Sequence, residues 1–244
     1  MRLLNEKNTD CDVICGSIIE NIRKKCSSNK TNHPFSKEWL WEEFKMKFQT
    51  LTGLPFEYTE NYVKENLSAV FLYFMNDISF LSCENLYKKD VAPSFNKGLL
   101  LVGKVGFGKT KIMTSFESVF KGYKPHNFKI VSVDDVVDDY EAIKSPQEKI
   151  DFYNNYTRGT MLFDDLYSEK LASNYGQTNT MKEIIMRRSR KNLKTHFTMN
   201  PVEGYEDNPK GNLLALETFY GSRVVDRLFN MCNYINLNGK SKRV

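Results

Sequence analysis

At 244 residues the chain has room for one large domain or two small ones, and 41% hydrophobic content supports a packed core and excludes a disordered protein. Basic side chains outnumber acidic ones 35 to 30, a formal charge of +5. That mild excess permits contact with nucleic acid without requiring it. No apolar run approaches the ~18 residues of a membrane span, and the N-terminus has no apolar signal core, so no membrane association is expected. The five cysteines, Cys11, Cys15, Cys26, Cys83 and Cys232, are odd in number and irregularly spaced, which points to a reducing cytoplasm. Cys11, Cys15, Cys26 and His33 admit a zinc reading, but their spacing is irregular for a zinc finger and ordinary thiols are expected.

Residues 1 to about 97 read as helical. Val13, Ile14, Ile18, Ile19 and Ile22 recur at helical spacing, and Ser27 to His33 is a polar break. Ser36 is placed to cap a helix carrying Trp39, Leu40, Phe44 and Phe48, ended by Gly53 and Pro55. Thr59 can cap a third helix, Glu60 to Met75, with Tyr62, Val63, Leu67, Val70, Phe71 and Phe74 on its apolar side. A short helix is expected near Leu81 to Lys88. These aromatics fit a core or a partner-binding face better than a base-stacking platform. Val91 to Lys97 reads as a joint, so the expected divisions are a helical partner-binding domain at 1–90, a linker at 91–97 and a nucleotide domain at 98–244.

Leu99 to Val102 has the composition of a buried parallel strand. It runs into Gly103-Lys-Val-Gly-Phe-Gly-Lys-Thr110, which fits G-x-x-x-x-G-K-[ST] without a gap. The backbone of Gly103, Lys104, Val105, Gly106, Phe107 and Gly108 can turn its N–H groups inward around phosphate oxygens, because glycine tolerates the conformations this needs. Lys109 reaches the outer phosphates, the Thr110 hydroxyl sits on Mg²⁺, and a helix opening through Lys111 faces the phosphates with its positive end.

Ile112, Phe116, Val119 and Phe120 continue that helix to Gly122 and Pro125, and Phe128 to Val133 alternates toward a strand. Asp134 is placed to cap a helix carrying Val136, Val137 and Tyr140. Its face of Asp134, Asp135, Asp138, Asp139 and Glu141 argues against a grip on phosphate. Pro146 opens a helix with Ile150, Phe152 and Tyr153. Thr160 to Leu166 is an apolar strand ending in two carboxylates, which in a parallel sheet lie beside the phosphate loop. There Asp164 would hold Mg²⁺ through water and Asp165 would orient the attacking water. Tyr175 to Lys191 reads as a helix with a basic end, Arg187, Arg188, Arg190 and Lys191, which is either a solvated helix terminus or a contact to DNA. Lys194 to Asn200 is a further strand whose terminal Asn can bond the attacking water or the γ-phosphate; Asn before Pro201 is also an ordinary turn pair. Leu213, Leu214 and Leu216, then Val224, Val225 and Leu228, recur at helical spacing. Tyr234 to Leu237 reads as a last strand before a basic tail.

Taken together, Gly103 to Thr110, Leu162-Phe-Asp-Asp-Leu166, Lys194 to Asn200 and Gly221-Ser-Arg-Val-Val-Asp-Arg-Leu228 resemble the AAA+ ATPases of the DnaC/IstB-like group, over about residues 94 to 244. The group includes bacterial and phage helicase loaders. The resemblance implies an α/β fold: a P-loop NTPase core of parallel sheet flanked by helices, without a C-terminal lid domain, behind an N-terminal all-helical domain. It implies ATP and Mg²⁺ as cofactors, with Lys109 and Thr110 in Walker A, Asp164 and Asp165 in Walker B, and Asn200 at sensor 1. Arg223 matches the arginine finger that acts on a neighbour's ATP, and Arg227, one turn on, is a weaker candidate. Asp164-Asp165 departs from the usual Asp-Glu pair, which implies slow turnover.

The implied partners are a hexameric replicative helicase, single-stranded DNA and further copies of the chain. The same core admits an IstB-like transposition regulator assembling on duplex DNA. A small-molecule P-loop kinase fits the Walker B pair, the sensor Asn and the Gly-Ser-Arg helix poorly. An ATP-binding scaffold without turnover stays open because of Asp165.

Overall fold

Apolar runs bounded by turns become five strands among the described residues, which in this computed structural model are 35–56, 62–89, 92–168, 179–206 and 208–237. They are β1 (Gly98–Gly103), β2 (Lys129–Ser132), β3 (Met161–Leu166), β4 (Thr195–Met199) and β5 (Cys232–Leu237), joined in one sheet of order β2-β3-β4-β1-β5. Every pairing is parallel. β1 and β4 are buried throughout, as strands covered on both faces must be. The helices are α1 (Lys37–Thr52), α2 (Ser68–Phe74), α3 (Lys109–Val119), α4 (Val133–Glu141), α5 (Pro146–Tyr156), α6 (Thr180–Arg190), α7 (Pro209–Tyr220) and α8 (Ser222–Met231). The architecture is the expected P-loop NTPase core with a helical region in front of it.

The strand order matters more than the strand count. β4 lies between β1, which carries the phosphate loop, and β3, which carries the two carboxylates. β1 and β4 approach so closely that a Cβ on Gly98 would stand 1.7 Å from the Thr195 carbonyl oxygen. His196 on β4 is fully buried and accepts the Leu99 N–H at Nδ1, 3.1 Å. Burial, with Lys194 and Arg188 nearby, pushes its pKa down to about 3, so it sits in the core as a neutral acceptor.

Several boundaries differ from expectation. The division at 90–98 is not a break in packing, because Lys37–Val244 forms one compact unit. Phe44 of α1 and Phe71 and Phe74 of α2 all pack against Phe116 of α3, tilted, edge-on and stacked in turn, with ring centroids 4.7–4.8 Å apart. Aromatic pairs of this kind add about 0.5–1.5 kcal/mol each to plain burial, so these helices share one core with α3 and the sheet. Nor is the joint slack: the Asn233 side chain of β5 bonds Ser94 N–H, Ser94 O and Gly98 O, and Tyr73 donates to Lys97 O. Trp39 is 41% exposed, and it is Trp41 that meets Phe44, Phe56 and Phe71.

The third helix opens as a π-helical turn, Val63–Leu67, before α2. The helix near Leu81–Lys88 is instead a 3₁₀ turn at Ile78–Ser82, capped by Asp77. Ser132, not Asp134, caps α4: its hydroxyl accepts the Asp134 N–H. The Val13–Ile22 stretch, the Cys11, Cys15, Cys26 and His33 set, Thr59 and the basic tail lie outside the described residues. No group of three metal-ligating side chains occurs among the described ones.

Candidate functional site

The phosphate loop follows β1, and its shape depends on two glycines. Gly106 and Gly108 hold φ of +82° and +85°, a region where a side chain is strained. Gly108 precedes the first turn of α3, so the helix's unpaired N–H groups open onto the loop. Lys109 is 5% exposed, and its ammonium donates to Gly103 O at 2.6 Å and to Asn200 Oδ1 at 2.8 Å.

On β3 the two acids occupy an irregularity. Phe163 pairs with Phe197 and Leu166 with Met199, so Asp164 and Asp165 share one extra residue relative to β4. This is a bulge, with Asp165 at φ +60°. In a regular strand adjacent side chains point to opposite faces; the bulge instead lets both carboxylates serve the same rim. Asp164 accepts the Thr110 hydroxyl at 2.8 Å and the Thr198 hydroxyl at 2.5 Å. Asp165 accepts from Asn200 Nδ2 at 3.3 Å, and its own N–H donates to Thr198 Oγ1 at 2.9 Å. Burial, then the neighbouring Asp164 charge, raises the Asp165 carboxyl above its ordinary pKa, with Lys109 opposing.

Lys109, Thr110, Asp164, Asp165 and Asn200, all expected from the sequence, therefore form one bonded cluster. Asn200 is the hinge of it, because β4's position lets one side chain touch both Lys109 and Asp165. Thr198 is the functional residue missed: a Thr in a strand is unremarkable, and only its i, i+2 spacing from Asn200 marks the shared face. The donor set fits Mg²⁺, which takes oxygen ligands from few carboxylates, hydroxyls and phosphates: the Thr110 hydroxyl and the Asp164 carboxylate stand side by side.

The glycine loop, the lysine and the hydroxyl–carboxylate pair together have the geometry of a phosphate-binding loop with a cation site beside it. No protein-family model and no curated protein sequence matches the chain. Among solved structures it is similar to the crystal structure of the DnaC helicase loader, at 18% identity and a TM-score of 0.47, over 72% of this chain and 98% of that one. It is also similar to the crystal structure of DnaI, at 21% identity and a TM-score of 0.44, over 60% and 73%.

The remaining expected residues lie apart from the cluster. Arg223 is exposed on the first turn of α8. Of the basic end of α6, Arg188 cannot meet DNA: it is wholly buried and donates to Thr195 Oγ1 and to the carbonyls of Tyr156, Gly159 and Lys194. Arg187 lies 3.9 Å over the Tyr153 ring, and Lys191 bonds Thr157. Arg190 is exposed.

Beside this helix end, where β2 and β3 begin, is an open cavity of about 810 Å³ lined by Lys121, Lys124, Lys129 and Arg158, with Glu117 its one lining carboxylate. Arg188 bonds the Arg158 carbonyl, so the cavity and the end of α6 form one basic band, at the rim of the sheet opposite the phosphate loop.

Proposed function

We propose that the chain is an ATP-dependent helicase loader of the DnaC kind. Bound ATP would lie in the 103–111 cradle with Lys109 on its outer phosphates, and Thr110 and Asp164 would hold Mg²⁺. The metal supplies charge neutralisation on the transferring phosphoryl oxygens. Asp165 orients the attacking water, and Asn200 fixes Asp165 relative to Lys109. Arg223, exposed at a helix start, is free to act on the ATP of an adjacent copy; such an arginine is worth ~10³–10⁵ in rate. The observation that carries the ATPase reading is the single bonded cluster of Lys109, Asn200, Asp165, Asp164 and Thr110, joined through Thr198.

The N-terminal residues would grip the helicase. The test is the mass of complexes formed with a hexameric replicative helicase, with and without Mg-ATP. Association lost on deleting residues 1–36, which precede the compact unit, supports the loader. No association, together with ATP-dependent filaments on duplex DNA, indicates the IstB-like regulator.

For DNA the basic band is the better surface than the end of α6 alone. It carries Lys121, Lys124, Lys129 and Arg158 against one carboxylate. Its lining has no exposed aromatic on which bases could stack, so it suits backbone contact. Reversing Lys124 and Lys129 together to Glu is expected to weaken DNA binding at least tenfold and to lower the salt slope by about 1.5, near 0.7 per phosphate lost on a single strand. Fluorescence anisotropy at several salt concentrations checks this. An unchanged slope puts the DNA elsewhere.

A further inference from the structure

The phosphate loop is held from outside by a side chain that none of its motifs contains. Tyr62, at the start of the π-helical turn, stacks on Phe107 with ring centroids 5.2 Å apart and 27° between planes, and its hydroxyl donates to the Phe107 carbonyl at 3.2 Å. Both side chains are buried, Phe107 completely. Asn66, within the π turn, bonds the Tyr62 carbonyl at 3.2 Å and so fixes the residue that holds the loop.

The direction of that hydrogen bond has a geometric result. A trans peptide is planar, and its C=O and N–H point opposite ways; there are no cis peptides among the described residues. Fixing the Phe107 carbonyl toward Tyr62 therefore turns the Gly108 N–H the other way, into the phosphate cradle. The Phe107 N–H is already committed to Lys104 O within the loop. Between two glycines at φ above +80° this peptide plane is the part of the cradle freest to flip. We propose that Tyr62 is a positioning residue for the phosphate loop, and that through it the π-helical turn and the nucleotide are thermodynamically coupled. The proposal rests on the nucleotide reading of the loop.

π-helical turns are rare and concentrate at functional sites, and this one leads directly into α2, whose Phe71 and Phe74 pack on α3. The helical region thus touches the nucleotide machinery at the loop and at the helix behind it. Because coupling is reciprocal, a force on the π turn changes nucleotide affinity by the same factor that nucleotide changes the turn.

The test compares the parent with Tyr62→Phe, which keeps the stack and loses the donor, and Tyr62→Ala, which loses both. Titration with a fluorescent ATP analogue and Mg²⁺ is expected to show affinity reduced about fivefold in Tyr62→Phe, the loss of one hydrogen bond, and further in Tyr62→Ala. The unfolding temperature of Tyr62→Phe without nucleotide should fall by only a few degrees, the cost of about one hydrogen bond. Exchange of the Val63–Leu67 amides should slow several-fold on adding Mg-ATP to the parent and not to Tyr62→Phe. Equal affinities in parent and Tyr62→Phe, or equal slowing of the Val63–Leu67 exchange by Mg-ATP in the two, overturn the proposal and leave the nucleotide reading standing. A parent that binds no nucleotide overturns both.

Discussion

Asp165→Asn is expected to reduce ATP turnover by about 10²–10⁴-fold, the usual worth of a positioned acid–base group, while ATP binding stays within a few-fold of the parent. The same substitution should raise the unfolding temperature. Asp165 is a strained and electrostatically unfavourable residue: it sits at φ +60°, beside Asp164, with its pKa raised by burial and that neighbour. Asn removes the charge, tolerates the left-handed backbone better, and can keep the contact to Asn200. The pH dependence has a definite sign. A raised carboxyl pKa means that the folded state binds the proton more tightly than the unfolded chain. Asp165's favourable contribution is therefore complete below its unfolded pKa and is lost as pH rises through the folded one. Turnover moves the opposite way, falling as acidification protonates Asp165. Phosphate-release assays across pH, with thermal unfolding of parent and variant, check both. A variant that is less stable and equally active would remove Asp165 from the chemistry.

Arg188→Ala should cost about 4 kcal/mol of stability, from three carbonyls left without their buried donor and a cavity the size of a guanidinium. For a unit of this size that lowers the unfolding temperature by roughly 8–16 °C. Arg188 ties the end of α5 and the turn before β3 (Tyr156, Gly159) to the start of β4 (Lys194, Thr195). Those are the strands that carry the acid pair and Asn200. Arg188→Lys should recover little, because a single ammonium cannot reproduce a planar fork spread over four acceptors. Arg190→Ala, on the exposed side of the same helix, should change stability by no more than about 0.5 kcal/mol. Denaturant titrations of the three variants decide it; equal, small losses at 188 and 190 would mean that Arg188 is not the brace described.

Comparing those two arginines shows where the sequence is readable. In the chain, Arg187, Arg188 and Arg190 look alike. Only the stripe Met181, Ile184, Ile185, at i, i+3 and i+4, marks 188 as the next position on the buried face. The phosphate loop was legible because its glycines and lysine are demanded by one short local geometry. The acid pair and Asn200 were legible as polar ends on apolar strands. What was not legible depends on partners far away in sequence. The β3 bulge exists only relative to β4's register, Thr198 matters only because two acids flank it, and the helices before residue 90 belong to the core only because Phe116 waits for them. The cap falls at Ser132, two residues before Asp134, with the strand ending one residue sooner than Val133.

The placement of β4 also governs how the chain must fold. Leu99 and His196, in contact across β1 and β4, are 97 residues apart, and Gly98 and Asn233, across β1 and β5, are 135 apart. Loops that long must close before either neighbour of β1 is in place, and such non-local pairing makes folding slow. During synthesis the phosphate loop emerges early but has no Asn200 beside Lys109 and no Asp164 beside Thr110 until β4 has inserted between β3 and β1. On the proposed function, ATP would therefore stabilise only the finished sheet, not a nascent one. Nucleotide added to refolding chains should slow unfolding while leaving the folding rate unchanged.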